Sequence, residues 1–255
     1  MKHLRYCTGA LLALLLIFNS VSCAGDPHRD PSTASTETVS DAANAADKVS
    51  LPATEDAGIA YQDSLTFVGD SLTAHLVSRG VLTDGKDTKQ VWRSESNMIN
   101  LNSEVTSAKI ILPSTGEKMT ITEAAGVAKP PILIITLGTD WGVSYLSEQE
   151  FKDCYSKLVR EIQAASPETA VILQSIFPVT ADCANLDNSK IDRANTWVKA
   201  IALECGCRYL DTQSVLKDGS NCLKMEYCNS TDGIHLTKEA YEVILHYIRT
   251  HAVTN

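Results

Sequence analysis

The chain is 255 residues long, 44% hydrophobic and 21% charged, with a formal net charge of -9. Its Lys and Arg residues are scattered, so it offers no basic footprint for nucleic acid, and nucleic acid is not expected as a partner. The part beyond the N-terminal region suits one domain with a full-sized core, and no internal repeat is visible.

In chain order, Lys2, His3 and Arg5 make a basic start, and Ala10 to Phe18 is an unbroken apolar run. That run is shorter than the roughly 20 residues a bilayer-spanning helix needs. A basic start, a short apolar core and small residues after it describe a secretory signal. Ser20-Val21-Ser22-Cys23 resembles a bacterial lipobox, which implies lipidation of Cys23 and a membrane anchor; Ser20 departs from the leucine preferred there. Simple secretion is the alternative, and both place the protein outside the cytoplasm. Residues 1–23 are therefore read as the signal. Residues 24–60, rich in Ser, Thr, Ala, Asp, Glu and Pro, are read as a disordered tether, and 61–255 as the folded domain.

Within the domain, Ser64–Val68 reads as a buried strand and Ser71 opens a helix. Gln90–Trp92 is a short strand candidate. Lys109–Leu112 and Met119–Thr122 are expected to form a small ribbon around Pro113–Gly116. Ile132–Leu137 is a continuous apolar, largely β-branched run of the kind found in parallel sheets covered on both faces. Ser147 and Glu150 form a capping box, opening a helix with Phe151, Cys154, Tyr155, Leu158 and Ile162 on one face. Ala170–Leu173 is the next strand. Ile191 to Cys205 lines the next helix, Arg208–Leu210 is a strand, and Thr237 caps a final helix. Strands alternating with helices imply a three-layer α/β/α sandwich around a mostly parallel sheet. In such folds the site lies outside the carboxyl ends of the strands.

Of eight cysteines, six fall in the domain: Cys154, Cys183, Cys205, Cys207, Cys222 and Cys228. Cys222 and Cys228 flank a short loop and are the pair expected to bridge, disulfides being allowed outside the membrane. Cys205 and Cys207 are too close for an easy bridge, and no spacing supports zinc.

Three sequence blocks carry chemistry. Gly69-Asp70-Ser71-Leu72 places a serine on a sharp strand-to-helix turn, with its hydroxyl at the sheet edge and its N–H at a helix start. A nucleophilic serine needs both, together with a base and a group that orients the base. Asp232-Gly233-Ile234-His235 supplies such a pair, since three-residue spacing in a turn lets the carboxylate reach the ring. Taken singly, each block also fits an ordinary turn or cap. His75 reads as structural, and His246 and His251 as solvated or structural. Trp141 and Tyr145 either line an apolar or sugar-stacking pocket or cover the sheet edge.

Together the blocks resemble the SGNH, or GDSL, hydrolase superfamily over about Ser64 to His251. The third block aligns as Gly138-Thr139-Asp140-Trp141. The resemblance implies a flavodoxin-like sandwich and esterase, lipase or deacetylase activity, with no metal or organic cofactor. It implies Ser71 as nucleophile, His235 as general base and Asp232 as orienter. It also implies an oxyanion hole built from the Ser71 N–H, a second-block glycine and a third-block asparagine. Here the second block reads Arg93-Ser94-Glu95-Ser96-Asn97, without glycine, and Asp140 replaces the asparagine. An ionised carboxylate donates no hydrogen bond. Asp140 is then either protonated, turned toward Arg93, or replaced by Asn97 or Asn100; Arg93, Asn97 and Trp141 are the substrate-pocket candidates. The expected function is an extracytoplasmic serine esterase acting on acetyl or short acyl esters of a small molecule or polysaccharide. The rival is an impaired scaffold that binds a glycan or protein partner.

Overall fold

A computed structural model describes residues 48–139, 141–229 and 231–253. The elements run α1 (Gly58–Asp63), β1 (Leu65–Gly69), α2 (Ser71–Arg79), β2 (Val91–Trp92), β3 (Lys109–Ile111), β4 (Lys118–Thr120), α3 (Ile121–Ala128) and β5 (Ile132–Thr136). They continue α4 (Gly142–Tyr145), α5 (Glu148–Ala165), β6 (Ala170–Gln174), α6 (Asn188–Glu204), β7 (Arg208–Leu210), α7 (Gln213–Leu216) and α8 (Lys238–Arg249).

The main sheet has the spatial order β2-β1-β5-β6-β7, with every neighbouring pair parallel. Alternation along β5 separates two cores. Leu133 and Ile135 face one side with Val68, Trp92 and Leu173, covered by Ile121 of α3, Phe151, Tyr155 and Leu158 of α5, and Val198 of α6. Ile134 faces the other side with Phe67 and Ile172, covered by Leu72 and Leu76 of α2 and Tyr241 and Ile244 of α8. Strands buried on both faces carry apolar runs for this reason. The fold is a three-layer α/β/α sandwich with a flavodoxin-like strand order.

The chain leaves β1 for β2 on one side, then returns past β1 to β5 on the other. The carboxyl ends of β1 and β5 therefore form the switch point where ligands bind in open α/β sheets. Gly69 and Thr136, the last residues of these strands, are register partners.

Three expectations need correction. Residues 48–60, assigned by composition to the tether, pack on the domain. Val49 and Leu51 are buried, Ser50 bridges Tyr209 in parallel, and the Ala57 N–H donates to the Arg249 carbonyl at 3.0 Å. Residues 24–47 lie outside the described residues, as does the signal with Cys23. Second, the ribbon stops at Thr120, which caps α3 through a capping box with Glu123; Ile121 then turns inward as a helical residue. Third, Cys222 and Cys228 are thiols, not a bridge. Local bonding holds each in its own place: the Cys222 N–H donates to Asp218 Oδ1 at 3.0 Å, while Cys228 pairs in an antiparallel bridge with Leu236.

Candidate active site

Ser71 is the first residue of α2, directly beyond the carboxyl end of β1. The preceding turn is set by Asp70, whose side chain is fully buried. Its Oδ1 accepts the Leu72 N–H at 3.2 Å, capping the helix. Its Oδ2 accepts the Thr139 N–H at 3.1 Å, tying the turn after β1 to the turn after β5. Asp70 is thus a structural brace that sets where Ser71 stands. The Tyr241 hydroxyl donates to the Leu72 carbonyl at 2.7 Å, and the Tyr155 hydroxyl to the Ile135 carbonyl at 3.1 Å. Burial, and after it the Asp70 charge, holds both phenols well above the usual tyrosine range. They therefore remain donors.

Gly69 cannot carry a side chain. A Cβ there would lie 2.2 Å from the Thr136 carbonyl oxygen and 2.3 Å from Thr73 Oγ1. The close approach of the β1 and β5 ends, which brings Asp70 to Thr139, requires the glycine.

Asp232 and His235 lie on the loop that enters α8. His235 Nδ1 and Asp232 Oδ2 are 2.6 Å apart. Asp232 Oδ1 accepts the N–H groups of Ile234 at 2.8 Å and His235 at 3.2 Å. A carboxylate only accepts, so Nδ1 carries the proton and Nε2 is left as the basic nitrogen. The loop is fixed from two sides. The His235 carbonyl accepts the Asn229 N–H at 2.8 Å, and the Gly233 carbonyl accepts the Thr180 N–H at 2.9 Å. Gly233 has φ 76°, and a Cβ there would meet Thr180 Oγ1 at 2.4 Å.

The His235 ring packs on His75, with centroids 4.7 Å apart and planes inclined by 37°. His75 lies one helical turn after Ser71. Tyr241 on α8 bonds to Leu72 on α2, so the loop entering α8 is drawn against the first turn of α2. His235 thus lies against His75, on the helix that Ser71 opens. The His235 side chain stays 30% exposed, open to a substrate.

The oxyanion candidates are placed as follows. Asp140 lies outside the described residues. Arg93 and Asn97 are both exposed and bond to each other, Nη1 to Oδ1, at 3.3 Å. They line a cleft of about 420 Å³ with Lys89, Ile111 and Pro113 at the outer edge of β2, rather than with Ser71 or His235. Asn97 takes a left-handed φ of 59°, a conformation typical of glycine or asparagine, but its N–H donates to the Ser94 carbonyl at 3.1 Å. The Thr139 hydroxyl is closed to solvent and so offers substrate no donor. Trp141 and Tyr145 pack on each other at 4.5 Å beyond β5, 40% and 67% exposed. Sequence reasoning passed over His75 as a ring contact; the signal for it was its four-residue spacing from Ser71. Among the described residues no group of His, Cys, Asp and Glu could hold a metal ion.

A model of the GDSL-like lipase/acylhydrolase family matches residues 67–243. The chain belongs to this family. The match contains all three chemical blocks, from the strand before Ser71 to the helix after His235. Among solved structures, a GDSL-like lipase from Bacteroides thetaiotaomicron is 15% identical with a TM-score of 0.53, covering 82% of this chain and 94% of that one. A lipase/acylhydrolase from Enterococcus faecalis is 16% identical with a TM-score of 0.44, covering 72% and 93%. At these identities the first likeness speaks for the fold alone. No curated protein matches the chain in sequence.

Proposed function

We propose that this GDSL-family acylhydrolase is an extracytoplasmic, lipid-anchored serine esterase for acetyl or other short acyl esters, with carbohydrate as the alcohol part. The observation that carries the reading is the Asp232–His235 pair, 2.6 Å apart, beside the first turn of the helix that Ser71 opens. In this reading Ser71 Oγ attacks the ester carbonyl while His235 Nε2 takes its proton. Asp232 stabilises the imidazolium. The Ser71 N–H, at the positive end of α2, faces the oxyanion. The tetrahedral intermediate collapses, and His235 returns the proton to the leaving alcohol. Water then repeats the sequence on the acyl-enzyme and frees the acid.

The short acyl group rests on the surface location in this reading and on the family, not on a cavity of the structure. The carbohydrate is supported by the Trp141–Tyr145 pair, whose exposed rings offer flat apolar faces of the kind that pack on a sugar ring. The lipid anchor rests on the signal and Cys23.

One set of assays tests the proposal. The full chain is expressed in a bacterium, and the membrane fraction is offered 4-nitrophenyl acetate, butyrate and octanoate. Acetate is expected to be cleaved at least about tenfold faster than octanoate. Ser71→Ala is expected to lose about 10³-fold or more of the rate. Activity should leave the membrane fraction in Cys23→Ala. Equal rates in wild type and Ser71→Ala would refute the esterase and leave the binding scaffold as the reading.

A further inference from the structure

We infer that His75 is a positioning residue for the reaction: its ring face holds the plane of the His235 imidazole so that Nε2 points at Ser71. The inference rests on the esterase reading above. Its observation is the ring contact, 4.7 Å between centroids at 37°.

Among the described residues, the Asp232 carboxylate grips the His235 ring at Nδ1 alone. One hydrogen bond fixes one atom of a ring but leaves the ring free to swing about that bond. The ring is also 30% exposed, so part of its perimeter has no protein against it. A second contact, on the face, is needed to set the plane. His75 provides it from the same helix that carries the nucleophile. Residues four apart lie on one helix face, and helical side chains lean toward the N-terminus. The His75 ring therefore lies over the turn that begins at Ser71. Nucleophile and buttress move as one rigid unit, and the ring that must face the nucleophile packs against that unit.

A second proton-transfer role for His75 fits the structure less well. Its Nδ1 is closed to solvent, so that nitrogen cannot exchange a proton with substrate. The contact with His235 is ring against ring, inclined by 37°, and a flat aromatic ring without nitrogens should supply that contact too. The helix around it is well held, with Leu72, Leu76 and Val77 buried. Loss of the ring should therefore be felt at His235 before it is felt in the fold.

The test uses the full chain and 4-nitrophenyl acetate, with His75→Ala, His75→Phe and Ser71→Ala assayed together. Holding reacting groups in line is worth large factors, and a displacement of about 1 Å can cost roughly 100-fold. His75→Ala is expected to lower kcat by roughly 10- to 100-fold with KM changed less than about twofold. His75→Phe is expected to return kcat to within about threefold of wild type, which a need for the nitrogens would not allow. A wild-type kcat in His75→Ala would overturn the inference. So would a His75→Phe enzyme as slow as His75→Ala, or a loss that falls on KM. If Ser71→Ala loses activity while His75→Ala does not, the esterase reading stands and only this inference falls. A wild-type rate in Ser71→Ala would remove both.

Discussion

Asp232→Asn is expected to fold normally and to hydrolyse 4-nitrophenyl acetate about 10³- to 10⁴-fold more slowly than wild type in kcat. The substitution preserves shape. Asparagine keeps one carbonyl oxygen, which can still accept the Ile234 and His235 N–H groups that Asp232 Oδ1 now holds at 2.8 and 3.2 Å. The other position becomes an NH2 group that donates toward His235 Nδ1. A donor facing Nδ1 requires the tautomer in which that nitrogen accepts, and the proton then sits on Nε2. The nitrogen meant to take the serine proton would already carry one. The loss is chemical rather than structural, so the thermal midpoint should stay within a few degrees. Steady-state kinetics and a thermal melt on the same preparation check both halves. A large fall in the midpoint would mean that Asp232 acts mainly by holding its loop.

Gly69→Ala is expected to be the most damaging single-atom addition near the site. The new Cβ would stand 2.2 Å from the Thr136 carbonyl oxygen, a backbone atom held in the β1–β5 ladder. Relief requires the two central strands to part at their carboxyl ends. Overpacking typically costs 1–3 kcal/mol, and more where the obstacle cannot move, so a loss of about 3 kcal/mol is expected. For a domain of this size that corresponds to a fall in Tm of roughly 6–12 °C. Parting the strands also pulls on the 3.1 Å bond from Thr139 to Asp70, which braces the Ser71 turn, so kcat should fall in the surviving folded protein. Calorimetry and an acetate assay below the lowered midpoint measure the two effects. A Tm within 2 °C of wild type would show that the strand ends are not in such close contact.

Much of this fold was legible because its signals are local. The capping box of Ser147 and Glu150, the apolar run of β5 and the Thr237 cap each depend on residues within a turn or a strand, and all appear at those places. Three-residue spacing was enough to foresee that Asp232 reaches His235. What escaped depends on distant partners. Val49 and Leu51 sit in a polar stretch and gain their burial beside Tyr209, far along the chain. The α3 helix was hidden behind a ribbon, although Thr120 and Glu123 carried a capping-box pattern. The cysteine pairing failed because proximity in sequence does not set the Cβ directions a disulfide needs. His75 read as structural because its partner ring lies on a loop that only the packing of α8 against α2 brings near.

The central claim is that Ser71 is a nucleophile activated by His235. The most direct measurement is exposure of the full chain to a fluorophosphonate, followed by mass spectrometry of its peptides. One phosphonyl group is predicted on Ser71, formed with loss of fluoride, with labelling strongly slowed in His235→Ala. Absence of label on Ser71, or equal labelling of several serines, would contradict the account.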